Sequence, residues 1–201
     1  MGPVKNIKAV NDILPRPDRA EAEAAVETLL RYIGEDTSRE GLRETPARVI
    51  RAYEEFFGGY ALDAHDILEK NFSDMAGYED FVLVKDIDFV SHCEHHMVPI
   101  IGKAHIAYWP DQHVVGLSKL ARLVDMYARR LISQEIMTTN IRNSLDTILK
   151  PRGSAVYIDA VHHCMSARGV RKATARTVTS LFSGVFSDNP QVQSRFIAAV
   201  K

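Results

Sequence analysis

The stretch FVLVKDIDFVSHCEHHMVPIIGKAHIAYW, residues 81–109, sets two runs of β-forming residues on either side of a histidine-rich turn. Phe81–Val90 and Ile100–Tyr108 read as strands, with Gly102 and Pro110 as punctuation. Downstream, Leu117, Leu120, Ala121, Val124, Tyr127, Ala128 and Leu131 recur at helical spacing. Met137, Ile141, Leu145 and Ile148 mark another helix, closed by Lys150-Pro151-Arg152-Gly153. Two more strands follow, Ala155–Ala160 and Ala173–Phe182, and a short helix from Pro190 to Val200 ends the chain. The order is ββααββ, then a helix. Strands joined directly in pairs imply antiparallel hairpins with the helices on one face, an α+β domain over residues 80–201.

Upstream of this stretch the chain has another character. Residues 1–18 are polar, carry Pro3, Pro15 and Pro17, and read as a flexible arm. Residues 19–79 read as a helical region. In its first helix Ala22, Ala25, Val26, Leu29, Leu30 and Ile33 share a face, and Gly34 stops it. The second opens at Thr45-Pro46, a capping residue followed by proline in the first turn, and ends at Gly58-Gly59. Its apolar face is Val49, Tyr53, Phe56 and Phe57. Neither helix carries ligand-like residues, which marks the pair as a packing or assembly element.

At 201 residues the chain is one domain by length, enough to hide roughly 70% of its unfolded surface. Apolar residues at 46% and charged residues at 25% exclude a disordered chain. A formal net charge of −1 argues against a strongly basic nucleic-acid binder. No apolar run approaches the ~18 residues that span a bilayer, and the first residues lack the apolar core of a secretory signal. Two cysteines make no disulfide framework, so a reducing cytoplasm is the expected location, with neither nucleic acid nor membrane as partner.

The chemistry is concentrated in two windows. The chain has eight histidines and two cysteines, and seven of these ten lie in His92-Cys93-Glu94-His95-His96 and His162-His163-Cys164. Core packing does not cluster them so. Both windows close predicted strands, where side chains can converge. Cys93 and His96 form a C-x-x-H pair, and thiolate and imidazole are donors that Zn²⁺ prefers. With Cys164 they make three soft ligands and leave a fourth position for water, as in a catalytic zinc site. Such an ion lowers the pKa of bound water to about 7. His95 and His162 stand close enough in sequence to carry protons. His92 and His163 could point away, and Glu94 could orient a ligating histidine from behind. Two other readings stay open at this level: a Cys93–Cys164 disulfide, and a structural zinc closed by His95 or His162.

Cations follow. Ser118, Lys119 and Arg122 open the third helix, where main-chain amides and two positive side chains suit a phosphate. Arg168, Arg171, Lys172 and Arg176 form a second basic stretch, a solvated face by default. Arg168 differs in lying four residues after Cys164. Gln134 and Glu135 open the fourth helix after Ser133. An acid there complements the helix dipole; its carboxylate could also accept from the N1–H and 2-amino edge of guanine.

S-H-C-E-H-H-M-V-P at 91–99, G-L-S-K-L-A-R at 116–122, V-H-H-C-M-x-x-R-G-V at 161–170 and T-P-x-R-V at 45–49 together resemble GTP cyclohydrolase I of the zinc-dependent type, over roughly residues 20–200. The resemblance implies conversion of GTP and water to 7,8-dihydroneopterin triphosphate and formate, the entry to folate or tetrahydrobiopterin. It implies a tunnelling-fold subunit in a toroidal homodecamer with active sites at subunit interfaces. It further implies Zn²⁺ on Cys93, His96 and Cys164, and proton transfer by His95 and His162. Gln134 and Glu135 would anchor guanine, and Ser118, Lys119, Arg122 and Arg168 would hold the triphosphate. One departure stands out: where the family commonly continues Q-E-R-L-T, this chain has Gln134-Glu135-Ile136-Met137-Thr138. The resemblance assigns His163 no role.

Overall fold

A computed structural model describes residues 16–69, 71–72 and 78–201. The expected arm lies outside the described residues except for residues 16–18. The chain divides into two compact units, one ending at Tyr60 and the other spanning Ala61–Lys201.

The first unit is a helix pair, α1 (Arg19–Tyr32) and α2 (Thr45–Phe56). Asp18 caps α1 by accepting from the Glu21 N–H, and Gly34 at φ +91° ends it in a conformation that favours glycine. Thr45 is not the cap of α2, contrary to expectation. Glu44 occupies that position without a side-chain bond, and the Thr45 hydroxyl donates back to the Gly41 carbonyl at 3.3 Å. Pro46 sits in the first turn, where its missing N–H costs nothing. Neither helix buries a residue.

The second unit is mixed α+β. Its elements run α3 (Ala64–Leu68), β1 (Asn71–Phe72), β2 (Val82–Cys93), β3 (Pro99–Trp109), β4 (Val114–Val115), α4 (Leu117–Ala128), β5 (Leu131–Ile132), α5 (Gln134–Ser144), β6 (Gly153–His162), α6 (His163–Ser166), β7 (Thr177–Phe182), α7 (Val185–Asp188) and α8 (Pro190–Val200). The five-stranded sheet has the order β5-β2-β3-β6-β7, antiparallel except for the short β5–β2 pairing. The β3–β6 pairing joins the two hairpins across the chain's helical middle.

One face carries the main core. Ile106, Val156, Ile158 and Ala160 of the sheet meet Leu120, Leu123 and Val124 of α4 and Met137 and Ile141 of α5. Each of these side chains larger than alanine stabilises by about 1.5–3 kcal/mol when fully buried. The expectation that all helices share that face is corrected by the end of the chain. Phe186 of α7 and Val192 and Phe196 of α8 pack with Ala107 and Ala155, which alternate onto the opposite face. Eleven apolar-rich residues with a capping Asn189 do not reveal which face they will cover.

A bulge in β2 decides where the site falls. Val84 pairs with Ile106 but Ile87 pairs with Ala104, so two residues, Lys85 and Asp86, oppose His105 alone. Asp86 takes φ +60°, donates its N–H to His105 Nδ1 at 3.2 Å, and receives Lys103 Nζ at 3.1 Å. The apolar phase shifts from Val82 and Val84 to Ile87 and Phe89. The continuing alternation carries Ser91 and Cys93 onto the helix-covered face. Without the extra residue Cys93 would point the other way.

The sheet is tight where these strands meet. A Cβ on Gly102 would collide with the Asp159 carbonyl and with Ala160 on β6. Gly102→Ala is expected to destabilise the unit by about 1–3 kcal/mol, as overpacking does, read as a lower urea midpoint. An unchanged midpoint would show that β3 and β6 separate at little cost.

Candidate metal and substrate site

The site is built at one end of the sheet, where β2 and β6 finish and β3 begins. Ile100 pairs with Ser91 on one side and His162 on the other, which brings the two histidine-rich windows together. After Cys93 the chain turns tightly. The Cys93 carbonyl accepts from the Met97 N–H at 2.8 Å, and the Cys93 N–H donates to the Val98 carbonyl at 2.9 Å. Met97 takes φ +54° to complete the turn. This reversal folds His96 back beside Cys93, the physical reason a C-x-x-H spacing works. Cys164 arrives on α6, held against β3 by His163, whose Nδ1 lies 3.0 Å from the Pro99 carbonyl and donates to it. His163 is thus a brace, a role the sequence did not assign.

One ligand atom each from Cys93, His96 and Cys164 lies within 4.8 Å of the others. The two cysteines form no disulfide, which removes that reading. Cys93 is buried, Cys164 half-buried and His96 exposed, so the group sits at the rim of the core. Burial, followed by the neighbouring Cys93 thiol, pushes the Cys164 thiol above its usual range. His95 places Nδ1 3.6 Å from Cys93 Sγ. Arg168 donates to His96 Nε2 at 3.2 Å. Glu94 stands 3.9 Å from His95, not His96, and so does not back a member of the three-residue group.

His162 meets the fourth helix. Its Nε2 lies 2.8 Å from Gln134 Oε1, and burial lowers its pKa while Glu135 raises it by a smaller amount. Gln134 and Glu135 are adjacent but separately placed. Gln134 is 2% exposed. Glu135 is exposed and lines an open groove of about 270 Å³ with Thr138, Thr139, Thr179, Ser180 and Leu181. The structure thus gathers Cys93, His95, His96, Cys164 and Arg168 in one cluster, with His162, Gln134 and Glu135 linked beside it. Ser118, Lys119 and Arg122 stand on the first two turns of α4, Ser118 and Arg122 exposed. The α4 N-cap is Gly116, which offers no side-chain acceptor to the first-turn amides. Arg176 is paired with Asp159 at 2.8 Å.

The GTP cyclohydrolase I family model matches residues 22–201. The chain belongs to the GTP cyclohydrolase I family. A GTP cyclohydrolase 1 of Sinorhizobium fredii is 54% identical over 198 residues, 98% of this chain and 97% of that protein. A GTP cyclohydrolase 1 of Brucella canis is 55% identical over 196 residues, 98% and 92% of the two chains. Among solved structures, the archaeosine synthase QueF-Like in its apo form matches with a TM-score of 0.45 and 16% identity, covering 53% of this chain and 96% of that one.

For this member of the GTP cyclohydrolase I family the donor set itself tests the fit of a metal. Two thiols and an imidazole, converging from separate elements, suit Zn²⁺. The raised Cys164 thiol has a consequence. A metal must displace its proton, so apparent Zn²⁺ affinity is expected to rise with pH by about tenfold per unit for each proton released. Chelator competition at two pH values measures it; a flat profile would show that the thiols are already ionised.

Proposed function

We propose that this chain hydrolyses and rearranges GTP to 7,8-dihydroneopterin triphosphate and formate, with Zn²⁺ held by Cys93, His96 and Cys164. The observation that carries the reading is the gathering of those three donors beside His95 and His162 at one end of the sheet. The chemistry a zinc ion supplies is Lewis acidity and activation of water near neutral pH.

The chain's own residues do the rest. Glu135 offers two acceptor oxygens to the N1–H and 2-amino group of guanine, from the exposed rim of its groove. Ser118, Lys119, Arg122 and Arg168 hold the triphosphate, the first three around amides that no side chain caps. Held at both ends, the purine presents C8 to the cluster. Hydrolysis at C8 opens the five-membered ring, and a second hydrolysis releases C8 as formate. His95 and His162 exchange protons with the attacking water and with the two nitrogens that leave C8. The freed amine then condenses with the rearranged ribose to close the pterin ring.

We place the subunit in a tunnelling fold and in a toroidal homodecamer with sites at subunit interfaces. The support is apolar surface left open on α1 among the described residues: Leu29, Tyr32 and Ile33 are 63%, 85% and 69% exposed. Full activity of an isolated monomer would contradict interface sites. A cytoplasmic location fits two thiols that must stay reduced to bind metal. No helix among the described residues is long and apolar enough to cross a membrane. The test of function is direct. The purified chain, loaded with Zn²⁺ and given GTP, is expected to release formate and a product that fluoresces as a pterin after oxidation; neither appearing would overturn the reading.

A further inference from the structure

Gln134 is the residue whose placement departs furthest from its expected role. It was expected at the guanine edge, yet it is buried and its carboxamide is fully engaged. The amide nitrogen lies 3.0 Å from the Thr177 carbonyl, 3.2 Å from the Ile158 carbonyl and 3.1 Å from Thr179 Oγ1. Carbonyl oxygens only accept, so these two fix which end of the amide is nitrogen. The other end, Oε1, must then be the acceptor toward His162 Nε2 at 2.8 Å. The hydroxyls agree. Thr138 donates to the Gln134 main-chain carbonyl at 2.7 Å, so the 2.7 Å contact between Thr138 and Thr179 has Thr179 as donor, and Thr179 accepts from the amide.

We propose that Gln134 is a positioning residue that holds His162 with its proton on Nε2, leaving Nδ1 as the nitrogen that exchanges protons with substrate. The inference rests on the reading of His162 as a proton carrier. In a neutral imidazole the hydrogen bond at one nitrogen sets the state of the other. Gln134 also ties His162 to β6 and β7 at once, through Ile158, Thr177 and Thr179, so the ring's orientation is built into the sheet.

The experiment uses the full-length, zinc-loaded protein labelled with ¹⁵N-histidine, with solid-state NMR assigning His162 by difference against His162→Asn. Wild type is expected to show the Nε2–H form alone. Gln134→Met, of similar size and without the acceptor, is expected to give mixed tautomers and a kcat lowered about 10²-fold, the scale of one acid–base group, with KM for GTP nearly unchanged. Thr179→Val, which removes one distal anchor of the amide, gives a smaller change of the same kind and serves if Gln134→Met fails to fold. An Nδ1–H form in wild type, or a raised KM with unchanged kcat and tautomer in the variants, would overturn the proposal. Wild-type protein that makes no formate but shows the Nε2–H form would sink the proposed reaction and leave the positioning role standing.

Discussion

Cys164→Ala is expected to lose bound zinc and formate release together. Cys164 is one of three donors, and two remaining ligands hold an ion weakly and leave it open to competing water. A catalytic metal supplies several kcal/mol of transition-state stabilisation, so turnover should fall by about 10³-fold or more. The fold should survive. Cys164 is only half-buried, and α6 stays braced by the His163–Pro99 contact. Metal content by atomic emission, formate release and circular dichroism on the same sample decide it. A folded variant that turns over normally without zinc would show that the three donors serve something other than the reaction.

Glu135→Ala should strike recognition of the base. Its carboxylate is exposed in the groove beside His162, free of the network that occupies Gln134. Two hydrogen bonds to a charged acceptor contribute about 1.5–3 kcal/mol each, so kcat/KM for GTP should drop by about 10²–10⁴-fold. The wild type should reject inosine triphosphate, which lacks the 2-amino group, and the variant should barely distinguish the two. Lys119→Ala is expected to weaken both nucleotides alike, in a salt-dependent way. A Glu135 variant that keeps full preference for the guanine edge would refute the assignment.

Much of the fold is legible in the sequence. Hydrophobic period marked β2, β3, α4, α5, β6 and α8 within a few residues, because their apolar faces are long and regular. β7 is shorter than its β-forming run predicts. It begins at Thr177, not Ala173, because the preceding segment is held in turns: Lys172 N–H bonds to the Met165 carbonyl, and Arg171 takes φ +51°. Local β propensity yields to such contacts. The inward network of Gln134 is illegible for a related reason. Its partners at Thr177 and Thr179 lie more than forty residues away, and nothing near Gln134 in the chain signals them.

Chain order alone determined which donor types the molecule possesses, that they fall in two windows, and that each window closes a strand; side-chain chemistry and period are local properties, readable one residue after another. Which way those donors face was a matter of tertiary structure. The bulge at Lys85–Asp86 turns Cys93 toward the helices, the β3–β6 register sets His162 level with Ile100, and the amide of Gln134 is spent inward while its neighbour Glu135 looks out. Orientation of this kind depends on pairing between strands remote in the chain, and only the assembled sheet specifies it.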